Sequence, residues 1–160
     1  MTENVRIIKK LYEYLNNITP LKTDCGKVCA NKCCKGNDTD GMLLFPGEEI
    51  LFMGKENFRV YFDSRYECNA VSCKGSCNRE ERPLSCRIFP YFLYVKDNGT
   101  LSVAPDIRAA DFCPLVNGKY KIDREFLRAL RISGKLIETN EELFDFLKKI
   151  TSVLTDFNNL

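Results

Sequence analysis

Nine cysteines and no histidine occur in this chain of 160 residues. The thiols form two clusters and two solitary positions: Cys25, Cys29, Cys33 and Cys34; Cys68, Cys73 and Cys77; Cys86; and Cys113. A chain of this length can bury a hydrophobic core without covalent cross-links, and disulfides do not persist in a reducing compartment. So many thiols therefore predict a chemical role, and that role constrains how the middle of the chain folds.

Clustered thiols of this kind are typical of proteins that hold soft metals. Because the chain has no imidazole, its thiolates favour zinc or an iron–sulfur cluster over magnesium or calcium, which prefer oxygen ligands. All nine cysteines are candidate metal ligands, and Cys113 alone also fits a small buried apolar residue. A disulfide framework is less consistent with an odd number of cysteines, and a catalytic thiol would lack its usual histidine base.

The adjacent cysteines Cys33 and Cys34 bear on the number of metals. Their side chains are expected to diverge, so the pair suits two metals, or one metal and a packing role, better than two corners of one tetrahedron. At least two metal ions per chain are therefore predicted. The spacing of four in the first cluster places side chains on one side of a helical turn, and three glycines let the backbone fold tightly: Gly26, Gly36 and Gly75.

The stretch "RPLSCRIFP" surrounds one thiol with two arginines and two prolines. We expect Pro83 and Pro90 to hold the backbone, Cys86 to bind metal, and Arg82 and Arg87 to offset thiolate charge. The alternative is that the arginines form surface salt bridges with the glutamates that precede them, Glu80 and Glu81. Seven cations in all lie near a cysteine in the sequence: Lys27, Lys32, Lys35, Lys74, Arg79, Arg82 and Arg87.

Both ends of the chain have helical periodicity, over residues 4–17 and 123–158. The first helix should end near Pro20 and bury five residues at spacings of three and four: Val5, Ile8, Leu11, Tyr12 and Leu15. A second helix should begin at Asp123. A third follows "TNEE" (139–142), which has the pattern of a capping box, and its apolar positions are Leu143, Phe144, Leu147, Ile150, Leu154 and Phe157.

The middle of the chain has mixed signals. "FRVYF" (58–62) predicts a strand, and "YFLYVKDNGTLSVAP" predicts a hairpin that turns at Asn98 and Gly99. "PGEEILFMG" predicts one short helix that begins at Pro46 and ends at Gly54. The sequence thus predicts one small α+β domain over residues 1–160. Its terminal helices should pack on a middle region, about residues 25–113, that is organised by metal-bound cysteines and contains a short antiparallel sheet.

Charge and hydropathy narrow the classes of partner and location. The formal charge of +2 is spread along the chain, so neither a nucleic-acid surface nor a membrane surface is predicted. The sequence contains no apolar run of about 18 residues, as a membrane helix requires. Its first residues, "MTENVRIIKK", lack the apolar core of a secretory signal. A cytoplasmic protein is expected.

The run "CGKVCANKCC", followed by "CNREERPLSCRIFPY" and a later "FCP", resembles the YkgJ-type cysteine-cluster family of zinc- or iron-chelating proteins. That family has a cysteine-rich run ending in a vicinal pair, then a cysteine before Arg-Pro, a Cys-Arg and a Phe-Pro. This chain departs from the pattern by its spacing of three residues between cysteines and by one extra thiol. The resemblance implies one ligand from Cys68 or Cys73 and seven others: Cys25, Cys29, Cys33, Cys34, Cys77, Cys86 and Cys113.

These observations predict a metal-binding protein in which thiolates hold Zn²⁺ in a structural or carrier role. The alternative is an iron–sulfur protein that supports electron transfer or a methyl-transfer or maturation reaction. A scaffold for a protein partner is a third hypothesis. The cluster also occurs in proteins similar to flagellin lysine N-methylases, but this chain has no glycine-rich nucleotide loop, so no enzymatic activity is assigned.

Overall fold

Helix α1 (Glu3–Leu15) lies at the N-terminal end of the computed structural model, which describes residues 1–34 and 39–156. The Thr2 hydroxyl caps the helix by accepting a hydrogen bond from the Val5 N–H at 3.4 Å. The predicted apolar face is buried except at Tyr12, which is half-buried. Three residues that carried sequence-based predictions lie outside the described residues: Lys35, Gly36 and Phe157.

Helices α4 (Arg124–Ile137) and α5 (Glu141–Asp156) form the C-terminal end. Asp123 caps α4 through a hydrogen bond from the Glu125 N–H, as expected. The predicted capping box before α5 is wrong, because Asn140 accepts the hydrogen bond from the Leu143 N–H at 3.0 Å, while the Thr139 hydroxyl donates to the Leu136 carbonyl. An amide oxygen one residue later takes the capping role.

Two antiparallel sheets occupy the middle of the chain. The first has the strand order β1-β3-β2, with β1 at Met42–Leu43, β2 at Phe58–Asp63 and β3 at Cys68–Cys73. The second is the predicted hairpin of β4 (Tyr91–Val95) and β5 (Leu101–Pro105). The sequence does not predict β3, because its cysteines suggest a metal-ligand cluster and only its central residues Ala70 and Val71 are buried.

Short helical segments connect these elements. Helix α2 spans Gly26–Cys29 and helix α3 spans Leu84–Ile88. The helix predicted for "PGEEILFMG" is shorter than expected, a 3-10 turn at Glu48–Leu51, because Gly47 has a φ of +87° that cannot continue from Pro46 as a right-handed helix. Four further 3-10 turns are Lys32–Cys34, Arg79–Glu81, Ile107–Ala109 and Pro114–Val116.

The hydrophobic core lies between the three long helices and the two sheets. Residues from α1, α3, α4, α5 and β4 share one buried cluster, in which the Phe45 and Phe146 ring centroids lie 4.8 Å apart. The arrangement confirms the α+β class and the packing of helical ends on a cysteine-rich middle.

Among the helices that the structure describes, none combines the length and the apolar character that crossing a membrane requires.

Candidate metal centre

Eight of the nine cysteines line two adjoining cavities. The larger cavity, about 80 Å³, is lined by six of them: Cys25, Cys33, Cys34, Cys73, Cys77 and Cys86. The smaller cavity, about 10 Å³, is lined by four: Cys25, Cys29, Cys33 and Cys113. These residues come from widely separated parts of the chain, so the fold itself brings the thiols together.

The first cysteine cluster does not form one continuous helix. Helix α2 ends at Cys29, and Ala30 and Asn31 then adopt positive φ values of 52° and 55° before the turn that carries Cys33. A Cβ on Gly26 would lie 1.8 Å from the Asn31 side-chain oxygen, so any larger residue here would require the Asn31 side chain to move. Cys25 and Cys29 therefore share the turn of α2, as the spacing of four predicts, whereas the reversal sets the positions of Cys33 and Cys34.

The vicinal pair does not diverge as predicted. The Cys33 and Cys34 sulfurs lie 4.0 Å apart, and both line the larger cavity. Zinc–sulfur bonds of about 2.3 Å set neighbouring sulfurs of a tetrahedral site about 3.8 Å apart. The two cysteines differ in their surroundings, because Cys33 also lines the smaller cavity and Cys34 does not.

Strand β3 separates two of the candidate ligands. Cys73 lies at the end of the strand and faces the larger cavity, and Gly75, with a φ of +92°, turns the chain toward Cys77. Cys68 begins the strand and lines a different groove, beside Lys149 of α5. Five strand steps of about 3.3 Å place the Cα atoms of the two residues about 17 Å apart. Cys68 thus lies outside the two cavities that the other eight cysteines line, and its predicted role as a ligand stays a prediction.

The side chains of α3, within the segment "RPLSCRIFP", have three kinds of surroundings. Leu84 and Ile88 enter the hydrophobic core, while Cys86 faces the larger cavity. Ser85 donates a hydrogen bond to the Leu43 carbonyl of β1. The thiol is thus held in position by contacts on both sides of it.

Arg87 and Arg79 bind helix α1 instead of the thiols. Arg87 donates to the Tyr12 carbonyl at 3.2 Å and to the carbonyls of Arg82 and Glu80 at 2.8 and 2.9 Å. Arg79 donates to carbonyls at the C-terminal end of α1 and just beyond it: Leu15, Asn16 and, at 2.7 Å, Ile18. The predicted role of Arg87 in offsetting thiolate charge is replaced by an anchoring role.

The alternative prediction, that these arginines form salt bridges with Glu80 and Glu81, does not describe this segment either. Glu81 pairs with Lys55 at 3.3 Å, and Glu80 receives Arg87 through its backbone carbonyl.

Arg82 is the arginine that faces the sulfurs. It lines the larger cavity and is hydrogen-bonded to the Cys77 side chain. Its positive charge also favours the thiolate forms of Cys25, Cys34 and Cys86. The expectation that Arg82 offsets thiolate charge agrees with this placement.

The thiols differ in how readily they ionise. A hydrogen bond from the Cys33 thiol lowers the pKa of Cys34 to about 6, and Arg82 acts in the same direction. The same hydrogen bond raises the pKa of Cys33. Burial is the largest cause that raises the pKa of five other thiols: Cys25, Cys68, Cys77, Cys86 and Cys113. Of the thiols whose pKa is shifted, Cys34 is the one displaced toward the thiolate form.

The donor set fits a soft metal, but the sulfurs do not form a closed coordination site. Over residues 1–34 and 39–156, no three Cys, Asp or Glu side chains converge closely enough to hold one ion. Binding would therefore require the thiols to move inward across the cavities that they line.

The apolar walls of the larger cavity are the part of the site that sequence reasoning missed. Met42, Phe58, Val71 and Phe89 line it together with the thiols. Phe58 and Val71 come from the paired strands β2 and β3, and only the pairing of an unpredicted strand brings them to the site.

Comparison of the chain with protein-family models, with curated proteins and with solved structures finds no match. The resemblance to the cysteine-cluster family stays a prediction.

Proposed function

We propose that this protein binds two zinc ions through two sets of four cysteine thiolates. The observation that carries the proposal is the gathering of eight thiols, from well-separated segments, around two adjoining cavities. Four thiolates per ion is the usual arrangement of a structural zinc site without histidine. The role is structural or that of a carrier, in a reducing compartment such as the cytoplasm.

The cavities suggest how the thiols are divided. Four cysteines line only the larger cavity and form the first set: Cys34, Cys73, Cys77 and Cys86. Cys29 and Cys113 line only the smaller cavity. The second set is completed by the two thiols that line both cavities, Cys25 and Cys33. The vicinal pair then contributes one thiolate to each ion, which places the two sites side by side.

Charge favours soft-metal binding at this place. Each zinc ion bound by four thiolates carries two excess negative charges, and Arg82 reaches the first set through Cys77. The positive charge of Arg82 also lowers the pKa of Cys34, which favours the thiolate form that zinc binds.

The test is anaerobic purification followed by elemental analysis, absorption spectroscopy and native mass spectrometry. Two zinc ions per colourless chain are expected. Cys86→Ser should lose one ion, and Cys29→Ser should lose the other. Cys68→Ser is the matched control and should keep both.

Three results would contradict the proposal. A brown protein containing iron and sulfide would establish the iron–sulfur alternative. If the chain contains no metal after preparation without chelators, the metal-binding hypothesis is excluded. Loss of metal in Cys68→Ser equal to that in Cys86→Ser would overturn the division of the thiols.

A further inference from the structure

A second groove lies at the opposite end of β3 from the candidate metal centre. It measures about 450 Å³, which is within the usual range for ligand-binding pockets. The groove is bordered by the segment that follows β1, by the turn between β2 and β3, and by the first turns of α5. We call it the acidic groove.

The floor and one rim of the acidic groove are apolar. Leu44, Pro46 and Phe146 line it from below, and Leu44 and Phe146 are themselves buried. Phe62 stands at the rim with 64% of its surface exposed, which is the largest exposure of any phenylalanine that the structure describes. A large exposed aromatic residue beside a concave apolar floor is typical of a docking site.

The remaining rim is negatively charged. Four carboxylates line the groove: Glu49, Glu67, Glu142 and Asp145. Lys149 is the one cation in this lining, and it is already held by Glu67, through the backbone carbonyl at 2.7 Å and the carboxylate at 3.5 Å. Asp145 is also paired, with Lys148 at 2.8 Å, and the Asn4 amide donates to Glu142 at 2.6 Å. Four carboxylates therefore face two lysines, and the groove keeps a net negative charge in a chain whose formal net charge is +2.

We propose that the acidic groove docks a cationic segment of a partner protein. Lysine or arginine side chains of that segment pair with the carboxylate rim, and an aliphatic or aromatic side chain covers Phe62 and the apolar floor. Charge complementarity selects a basic partner, and the exposed aromatic surface selects one with an apolar anchor. This inference does not depend on the metal.

The test uses the full chain as purified, with a fluorescein-labelled heptapeptide Lys-Leu-Lys-Phe-Lys-Leu-Lys as the probe and fluorescence anisotropy as the readout. The double variant Glu49→Gln with Glu67→Gln should weaken binding at least about fivefold, and Phe62→Ser should weaken it by a similar factor. Glu56→Gln with Asp97→Asn is the matched control. It removes the same charge from exposed positions outside the groove and should change binding less than about twofold.

Several outcomes would overturn the proposal. Equal weakening in the groove and control variants would mean that the peptide binds through net charge alone. If a peptide in which serine replaces every leucine and phenylalanine binds equally well, the proposed contact with an apolar side chain is excluded. No binding at millimolar protein would exclude the site. A dimer of the chain that the groove variant abolishes, and that the peptide does not dissociate, would assign the groove to a second copy.

Discussion

The guanidinium of Arg87 lies 4.3 Å from the centre of the Tyr12 ring and donates a hydrogen bond to the carbonyl of the same residue. Arg87 follows Cys86 directly in the sequence, so this contact fastens the thiol-bearing helix α3 to the N-terminal helix α1. The cysteine-rich middle and the helical end are therefore mechanically linked, although α1 contains no cysteine.

Arg87→Lys should destabilise the protein despite keeping the positive charge. The buried guanidinium donates to three carbonyls and to the Asn16 side chain, and one ammonium group cannot reach all of them. We expect the free energy of unfolding to fall by about 2–3 kcal/mol, measured by urea denaturation. Arg128→Lys, at an exposed position of α4, is the control and should change it by less than about 0.5 kcal/mol. Equal effects of the two changes would contradict the anchoring role.

Gly41→Ala should be costly for a steric reason. A Cβ on Gly41 would lie 2.3 Å from the Val71 carbonyl oxygen and 2.6 Å from the Val71 carbonyl carbon, so backbone would have to move. The shift would also strain the hydrogen bond from the Gly41 N–H to the Tyr61 hydroxyl. We expect a loss of about 2–3 kcal/mol in the free energy of unfolding, measured by urea denaturation.

Gly54→Ala separates crowding from backbone conformation. Gly54 has a φ of +78° but nothing within 4 Å of an added Cβ, so only conformational strain of about 1–2 kcal/mol is expected. A smaller loss for Gly41→Ala than for Gly54→Ala would exclude the steric explanation.

Glu48 should make stability depend on pH in the mildly acidic range. Burial raises the pKa of this carboxyl to about 6, and hydrogen bonds from Tyr12, Leu84 and Phe45 only partly oppose the shift. The folded chain keeps the Glu48 proton at pH values where the unfolded chain has lost it. The stability that Glu48 contributes is therefore complete below about pH 4.5. It falls by about 2 kcal/mol as the pH rises from about 4.5 through about 6, and it does not change further at higher pH.

The measurement is urea denaturation of the wild type and of Glu48→Gln across this range. The amide does not titrate, so the difference between the two proteins isolates the Glu48 contribution. A difference that stays constant from about pH 4.5 to pH 7 would contradict the raised pKa.

The sequence predicts the long elements well because each carries its own signal. Helix α1 has an apolar face at helical spacing, α4 has Asp123 as its cap, and the β4–β5 hairpin turns at Gly99, where φ is +80°. These features depend on residues close together in the chain. No partner from elsewhere is needed to recognise them.

The arrangement of the thiols could not be predicted in the same way. The reversal between α2 and Cys33 uses positive φ values at Ala30 and Asn31, and alanine carries no signal for that conformation. The separation of Cys68 from Cys73 depends on β3, which pairs with strands on both sides. The direction of Arg87 toward α1 is a tertiary contact. Spacing alone therefore identifies the candidate ligands but not which of them meet.

Cys34 should be the most reactive thiol of the metal-free, reduced chain. Its pKa of about 6 makes it largely thiolate at neutral pH, whereas burial raises the pKa of Cys68 to about 11. Modification of Cys34 by iodoacetamide, followed by peptide mass mapping, should rise between about pH 5 and pH 7 and then level off. Cys33→Ala removes the hydrogen-bond donor and should slow this reaction at about pH 6, while Cys68→Ala should leave it unchanged. Equal rates for Cys34 and Cys68 at about pH 6 would show that the vicinal thiol does not activate its neighbour.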